Sequence, residues 1–425
     1  MRLGVRTLAC LMRKRGLVRP AELFAIVLLQ VAISVTAAAQ TRIVAIGDVH
    51  GALPEFETIL KQAGLIDARR GASGGWTGGR TVLIQLGDVV DRGPKSRACL
   101  DLLMALERSA ARRNGKVIPL LGNHEVMAMT GDLRYVAPED YQSFATGRSE
   151  KVREDAYREY LDFVSSQQRQ AGDAPRAGQA SREKWMAEHP LGFFERRDAF
   201  GPLGVYGRWL RNHDVAYQSG DVAFVHGGLS PNFSFRDIRD LNEQMRAALS
   251  AIDAGWQSLS RTGIIWRYMA LDEAVLQIQT ERAAISARDD ADPKLKDDLE
   301  QFVRLVSWLV SANNPTWYRG LAVDPEEALG PALEGMLARL KISYIVAGHT
   351  VVPAFEIRQR FGNRVFLIDT GMLGSAFGGR ASALEIQGGR FTAHSAGKNP
   401  QVLPPRSNVA GSPAAAGQAG GAPLP

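Results

Sequence analysis

The sequence predicts an α/β fold, and three observations carry that reading. Short apolar runs rich in β-branched residues recur at 43–46, 82–86 and 117–121, each with the length of a buried strand. Helix-forming stretches with clear stop signals separate them. Runs of the same kind return at 222–225, 343–347 and 365–368. The first three give the order strand, helix, strand, helix, strand, which implies parallel pairing and right-handed crossovers.

The elements follow in order. Residues 54–63 read as a helix with Pro54 in its first turn. The glycine-rich stretch 71–79 reads as a loop. Residues 94–113 form a long amphipathic helix, closed by Asn114-Gly115. Residues 137–215 are polar and helix-prone, with Trp185, Phe193, Phe194, Tyr206 and Trp209 in the later part. A stretch of that length is too long for a bare loop, so it is expected to be an inserted helical cap. Residues 236–311 are expected to be a second helical insert, broken across 251–267 with loop points at Gly255 and Gly263. Residues 383–386 and 391–393 suggest a hairpin around Gly388-Gly389.

The two ends differ in character from this catalytic domain, placed at 40–398. Residues 1–39 carry six basic residues against one acid, then an apolar run over 23–35, then Thr36-Ala37-Ala38-Ala39. That order is expected of an export signal cut after Ala39, and it predicts a periplasmic or secreted protein that meets a membrane only through its leader. The apolar run is short for a membrane span. Residues 399–425 are rich in Pro, Gly, Ala and Ser and are expected to be a disordered tail. The formal charge is +6, but most of it lies in the leader. What remains is no clustered basic footprint for nucleic acid. Of two cysteines, Cys10 falls in the leader and Cys99 in an apolar helical pattern, so no disulfide is expected within the mature chain. The oligomeric state is not legible.

Five strand-to-loop junctions carry chemistry. They are Gly47-Asp48-Val49-His50-Gly51, Gly87-Asp88-Val89-Val90-Asp91-Arg92-Gly93, Gly122-Asn123-His124-Glu125, His226-Gly227-Gly228 and Gly348-His349-Thr350. Such junctions are where open α/β sheets bind ligands. Asp48 and His50 are spaced i, i+2, so extended backbone would point both the same way. Taken singly, each motif reads more simply as a capped turn, a satisfied core histidine or a surface ion pair. Their co-occurrence, each after an expected strand, points to a metal site. Asp48, His50, Asp88, Asn123, His226 and His349 offer only oxygen and nitrogen donors, which suits two divalent cations, manganese first and iron or zinc next. Two such ions about 3.5–4 Å apart clamp the attacking and leaving oxygens of an in-line displacement and acidify the attacking water to hydroxide.

The same five motifs resemble the phosphoprotein phosphatase family of calcineurin-like metallophosphoesterases, marked by GDxHG, GDxxDRG, GNHE, HGG and GH. The run 131–136 after the GNHE motif, and Trp317-Tyr318-Arg319-Gly320, are similar to the Shewanella-like protein phosphatases. The resemblance implies a β-sandwich core flanked by helices (αββα), with the helical caps inserted into it. It implies that Asp48, His50 and Asp88 hold one metal and that Asp88, Asn123, His226 and His349 hold the other. His124 is then the general acid, Asp91 its orienting partner, and Arg92 a phosphate ligand. Arg319 is the candidate for a second phosphate clamp, with Arg267 as its alternative. The family's Arg before Gly-Asn-His-Glu is Leu121 here; its side chain is expected to point into the sheet without loss of activity.

The implied activity is hydrolysis of phosphomonoesters on protein or small-molecule substrates. A phenol leaves more easily than an alkoxide, so His124 should matter more for phosphoserine than for phosphotyrosine, the substrate associated with that branch. A diadenosine-polyphosphate or nucleotide hydrolase on the same fold is the alternative. A non-catalytic phosphate sensor is a further one, weakened because both Asp91 and His124 are present.

Overall fold

In the computed structural model the chain is described over residues 41–171, 182–286 and 292–406. The expected leader at 1–39 and residues 407–425 of the expected tail lie outside the described residues. The first crossover unit is β1 (Ile43–Ile46), a helix at Leu53–Gln62, the small ribbon β2 (Ile66–Asp67) and β3 (Gly71–Trp76), β4 (Val82–Gln85), a helix at Ser96–Ala111 and β5 (Lys116–Pro119). The pairs β1–β4 and β4–β5 are parallel. β6 (Ala216–Ser219) and β7 (Val222–Val225) follow, then β8 (Tyr344–Ala347), β9 (Arg358–Arg360), β10 (Val365–Leu367), β11 (Ser382–Gln387), β12 (Arg390–Ser395) and β13 (Gln401–Leu403).

These strands form two larger sheets, ordered β13-β12-β11-β1-β4-β5 and β6-β7-β8-β10-β9. The layering follows from side-chain alternation. Ile43, Ala45 and Ile84 of the first sheet pack against Phe224, Val346 and Phe366 of the second. Their neighbours Val44, Ile46, Leu83, Val225 and Ile345 face the opposite way, into the helical layers. Both faces of each central strand are thus apolar, which is why these segments read as unbroken hydrophobic runs.

The first insert supplies helices at Pro138–Phe144, Ser149–Ala171, Arg182–Glu188, Phe193–Phe200 and Val205–Leu210, and the second at Ile238–Arg261, Leu271–Ser286 and Pro293–Leu309. An aromatic core of their own joins Tyr141, Trp185, Phe193, Phe194, Trp266 and Tyr268. Polar contacts tie the first insert to the helix at Ser96–Ala111, from Tyr206 Oη to Asp101 at 2.7 Å and from Trp209 Nε1 to Glu107 at 2.8 Å. Among the described residues no helix is long and apolar enough to cross a membrane.

Four expectations need correction. The stretch 71–79 is not all loop: β3 pairs with β2 through a register shift, and buried Trp76 outweighs the poor strand propensity of its glycines. The helix at Ile238–Arg261 runs unbroken through Gly255. A Cβ there would lie 2.9 Å from the Phe302 ring, so the glycine permits close packing and is not a loop point. Gly263 does turn, with φ +75°. The disorder expected from 399 does not hold for 401–403, where β13 pairs antiparallel with β12 and buries Leu403. Asp48 and His50 do not share an extended backbone either: His50 has φ 49°, and a left-handed turn brings its ring to the same place.

Replacing Gly255 by Val should therefore destabilise the second insert by about 1–3 kcal/mol through overpacking against Phe302. Chemical denaturation of the two proteins measures it. Unchanged stability would show that Phe302 has room to move.

Candidate metal centre

The parallel strands of both sheets end at one rim. Asp48 follows β1, Asp88 follows β4, and Asn123 opens the helix Asn123–Thr130 after β5. His226 follows β7 and His349 lies just beyond β8. All six candidate ligands are buried. Backbone strain concentrates here: His50, Asp88, Asp91, Arg92 and His349 all have positive φ, a conformation that non-glycine residues adopt at a cost. Gly87 is needed between the loops, since a Cβ would stand 2.3 Å from the Gly122 nitrogen.

Asp88 lies at the middle of the cluster. Its Oδ2 is 3.7 Å from His50 Nε2 and 3.8 Å from His124 Nε2, while its Oδ1 is 3.3 Å from His226 Nε2. His226 Nε2 also lies 2.9 Å from Asn123 Oδ1 and 3.1 Å from His349 Nδ1. Asp48 Oδ2 lies 3.9 Å from His50 Nε2, and Asp48 Oδ1 accepts from the His349 backbone N–H at 2.9 Å. The sets His50, Asp88, His124 and Asp88, His226, His349 are each compact enough to hold an ion.

The donor set fits divalent cations, and the hydrogen bonds show why. His226 Nδ1 faces the Leu86 carbonyl at 2.8 Å and His50 Nδ1 the Val90 carbonyl at 3.0 Å. A carbonyl only accepts, so each Nδ1 carries the proton and each Nε2 presents a lone pair. At His226 that lone pair meets the Asn123 and Asp88 oxygens, which are acceptors too. A cation reconciles such an arrangement. Otherwise a proton must: burial opposes charge on His226, but Asp88 and Asp48 outweigh it and hold the ring up to about 9. Burial and the charge of His226 press His349 down to about 2, and burial lowers His50 to about 4 against the pull of Asp88. Burial opposes ionisation of Asp88, yet His226 and His124 keep it well below the usual carboxylate range.

His124 differs from the other rings in its partner. Its Nδ1 lies 2.8 Å from Asp91 Oδ2. Burial works against its charge, but Asp88 and Asp91 raise its basicity. Arg92 is exposed and lies over Tyr135, 4.5 Å from the ring centroid, with Phe377 at 5.4 Å. Arg319 Nη1 donates to the His349 carbonyl and to Thr350 Oγ1, both at 3.1 Å. Arg267 is not brought to this cluster. Its guanidinium is held by Glu159 at 2.9 Å and lines a separate cavity in the inserts. Leu121 is buried in the helical-layer core, while Cys99 is buried with its thiol pushed up by desolvation.

Three residues of the site were not singled out from sequence. Asp369 follows β10 at the same rim, is buried, and accepts from the Gly371 backbone N–H at 3.0 Å; burial, with Asp88 adding, raises it to about 6. The apolar run ending in Asp369 was the available signal. Glu125 accepts from the backbone N–H groups of Asp88, Val89 and Gly122 at 2.7–2.8 Å, pinning two loops together. Arg196, fully buried on the helix Phe193–Phe200, donates to Asp91 Oδ1 at 2.8 Å and to Asp140 Oδ2 at 2.9 Å. Nothing in the sequence around Arg196 marks that role.

The sequence profile of the family described as calcineurin-like phosphoesterase matches residues 41–353. The chain belongs to the calcineurin-like phosphoesterase family. It is a metal-dependent phosphoesterase, a hydrolase. Shewanella-like protein phosphatase 2 of Arabidopsis thaliana is 33% identical over 217 residues, which is 50% of this phosphoesterase and 53% of that relative. Shewanella-like protein phosphatase 1 of Plasmodium berghei is 25% identical over 78% of this chain and 67% of its own. An uncharacterized protein of Schizosaccharomyces pombe is 29% identical over 81% and 77%. The solved cold-active protein-tyrosine phosphatase of a psychrophilic Shewanella species shares the fold, with a TM-score of 0.54 and 22% identity over 86% of this chain and 81% of that one.

Two outcomes follow for the phosphoesterase. Divalent metal should displace a proton from the His226 cluster, since that ring is held up to about 9. Calorimetric titration at neutral pH in buffers of different ionisation heat should show net proton release, with metal affinity rising as pH approaches 9. Affinity independent of pH would contradict the proton count. Replacing Arg196 by Met leaves the Asp91 and Asp140 carboxylates without their cation and should cost about 3–5 kcal/mol in denaturation. Adding Asp140→Leu should recover part of the loss.

Proposed function

We propose that the phosphoesterase is a binuclear phosphomonoesterase acting on phosphorylated protein, with phosphotyrosine its preferred substrate. The observation that carries the binuclear reading is the division of one carboxylate: Asp88 Oδ2 faces His50 and Oδ1 faces His226. Asp48, His50 and Asp88 hold one ion in this reading, and Asp88, Asn123, His226 and His349 hold the other. Asp369 supports the Asp48 side. When bound, two divalent cations, manganese first and iron or zinc next, offset the charge of the phosphate and lower the pKa of water in the site.

The chain's own groups do the rest. The exposed guanidinium of Arg92 takes phosphate oxygens, and Arg319 is placed beside His349 to take others. His124 gives its Nε2 proton to the leaving oxygen. Its partner Asp91 favours the charged ring, whereas the carbonyl partners of His50 and His226 favour neutral rings that bind metal. Arg196 keeps the second oxygen of Asp91 occupied, so that the other stays on His124.

The preference for an aryl ester is supported by the ring of Tyr135, 38% exposed beside Arg92, and by Phe377, whose ring centroid lies 5.4 Å from the same guanidinium. Both present aromatic surface where a phosphotyrosine ring would lie. The protein-phosphatase names of two relatives agree with this choice of substrate. With the leader over 1–39 the enzyme acts outside the cytoplasm in this reading.

Manganese should restore phosphate release from an aryl phosphate after EDTA has stopped it. Asp88→Asn should abolish turnover while the far-ultraviolet spectrum stays unchanged; near wild-type turnover refutes the site. His124→Asn should lower kcat by roughly 10²–10⁴ on an alkyl phosphate, and less on p-nitrophenyl phosphate, which leaves without a proton. Equal losses on both would remove His124 from the acid role. Faster cleavage of diadenosine polyphosphate than of phosphotyrosine peptide would overturn the substrate class.

A further inference from the structure

The helical inserts enclose a second cavity of about 950 Å³ that none of the metal-centre residues lines. Its size is that of a small-molecule site. Phe163, Trp256, Trp266 and Tyr268 give it aromatic walls. Leu203, also in its lining, is 89% exposed. Met129 and Thr130 line it as well, and they end the helix that begins with Asn123 and His124.

The polar groups of this cavity are unevenly matched. Glu159 is paired with Arg267 at 2.9 Å and Asp253 with Arg211 at 2.7 Å. Asp198 accepts from Tyr268 Oη at 3.0 Å. Asp162 and Arg261 are exposed and opposite in sign. Arg197 is left over. Its guanidinium carbon lies 5.8 Å from the Trp256 ring centroid, its Nη2 donates to the Met269 carbonyl at 3.3 Å, and its Nε is sealed from solvent with no hydrogen-bond partner among the described residues. Among the described residues no carboxylate pairs with it. Burial and the adjacent Arg196 lower it to about 10, so it remains a cation at neutral pH. Ser260 Oγ, in the same lining, is also buried and unpartnered. A part-buried guanidinium with no paired carboxylate keeps donors to spare, and a planar carboxylate is the group whose geometry matches it.

We propose that this cavity is a binding site for a small aromatic carboxylate, with Arg197 taking the carboxylate and Trp256 and Trp266 flanking the ring. The site is separate from the metal centre and independent of the substrate preference proposed above. It nevertheless adjoins two parts of that centre. Arg197 follows Arg196, which holds Asp91, and the cavity backs onto the far end of the helix bearing His124.

Anilinonaphthalene sulfonate, an aromatic anion with environment-sensitive fluorescence, serves as the probe on the metal-loaded full chain. It should bind one saturable site. Naphthoate should displace it at least about tenfold more effectively than the neutral isostere naphthamide, the difference expected of a charge-assisted hydrogen bond. Inorganic phosphate should not displace it. Arg197→Met should weaken naphthoate about tenfold or more. Leu203→Glu, at a position that the fold leaves to water, should weaken it several-fold by like-charge repulsion and carries the test if the first variant does not fold. Equal competition by naphthoate and naphthamide, displacement by phosphate, or wild-type affinity in a folded variant would each overturn the proposal.

Discussion

One buried carboxylate governs this structure. Asp88 sits in a left-handed backbone conformation, out of water, with three imidazoles within 3.8 Å of its oxygens. Isolated, such a charge would be prohibitively costly. It is tolerated because every neighbouring loop is arranged around it. Glu125 fixes its backbone nitrogen, the His124 backbone N–H donates to its Oδ1, and its carbonyl receives the N–H groups of Val49 and His50. Electrostatic need, more than apolar packing, sets the positions of the rim loops.

The sandwich exists to bring those loops together. β1, β4 and β5 belong to one sheet and β7, β8 and β10 to the other, yet all six strands end at the same rim. Residues more than 300 positions apart, such as Asp48 and His349, thereby come within hydrogen-bond distance. Strand ends are rigid, so donors mounted on them keep a fixed geometry.

Much of this is legible in the sequence. The central strands announced themselves because both of their faces are buried and their residues are apolar throughout. Five glycine-flanked motifs, each after a strand, marked six candidate donors, and the fold brings those six to one rim. What escaped had physical reasons. Gly255 looks like a breaker in one dimension and is a packing contact in three. β3 is built from residues of low strand propensity and depends on Trp76 and its partner strand. β13 owes its existence to the exposed edge of β12. Asp369 lacks a flanking motif as distinctive as the others, and the pairing of Arg267 with Glu159, 108 positions away, shows only in the tertiary fold. Arg196 sits among ordinary charged helix residues, and only the tertiary fold reveals that its charge is directed inward to Asp91.

The Arg196 ion pairs have a further meaning for how such enzymes diversify. A surface elaboration that merely touched the scaffold could be lengthened, traded or lost while the chemistry beneath it continued unaltered. Here the first insert contributes a charge to the innermost electrostatics of the reaction centre, through Asp91 to His124. Evolution cannot treat it as a detachable accessory: any lineage that remodels this region must either keep a cation at that spot or resettle Asp91 and His124 along with it.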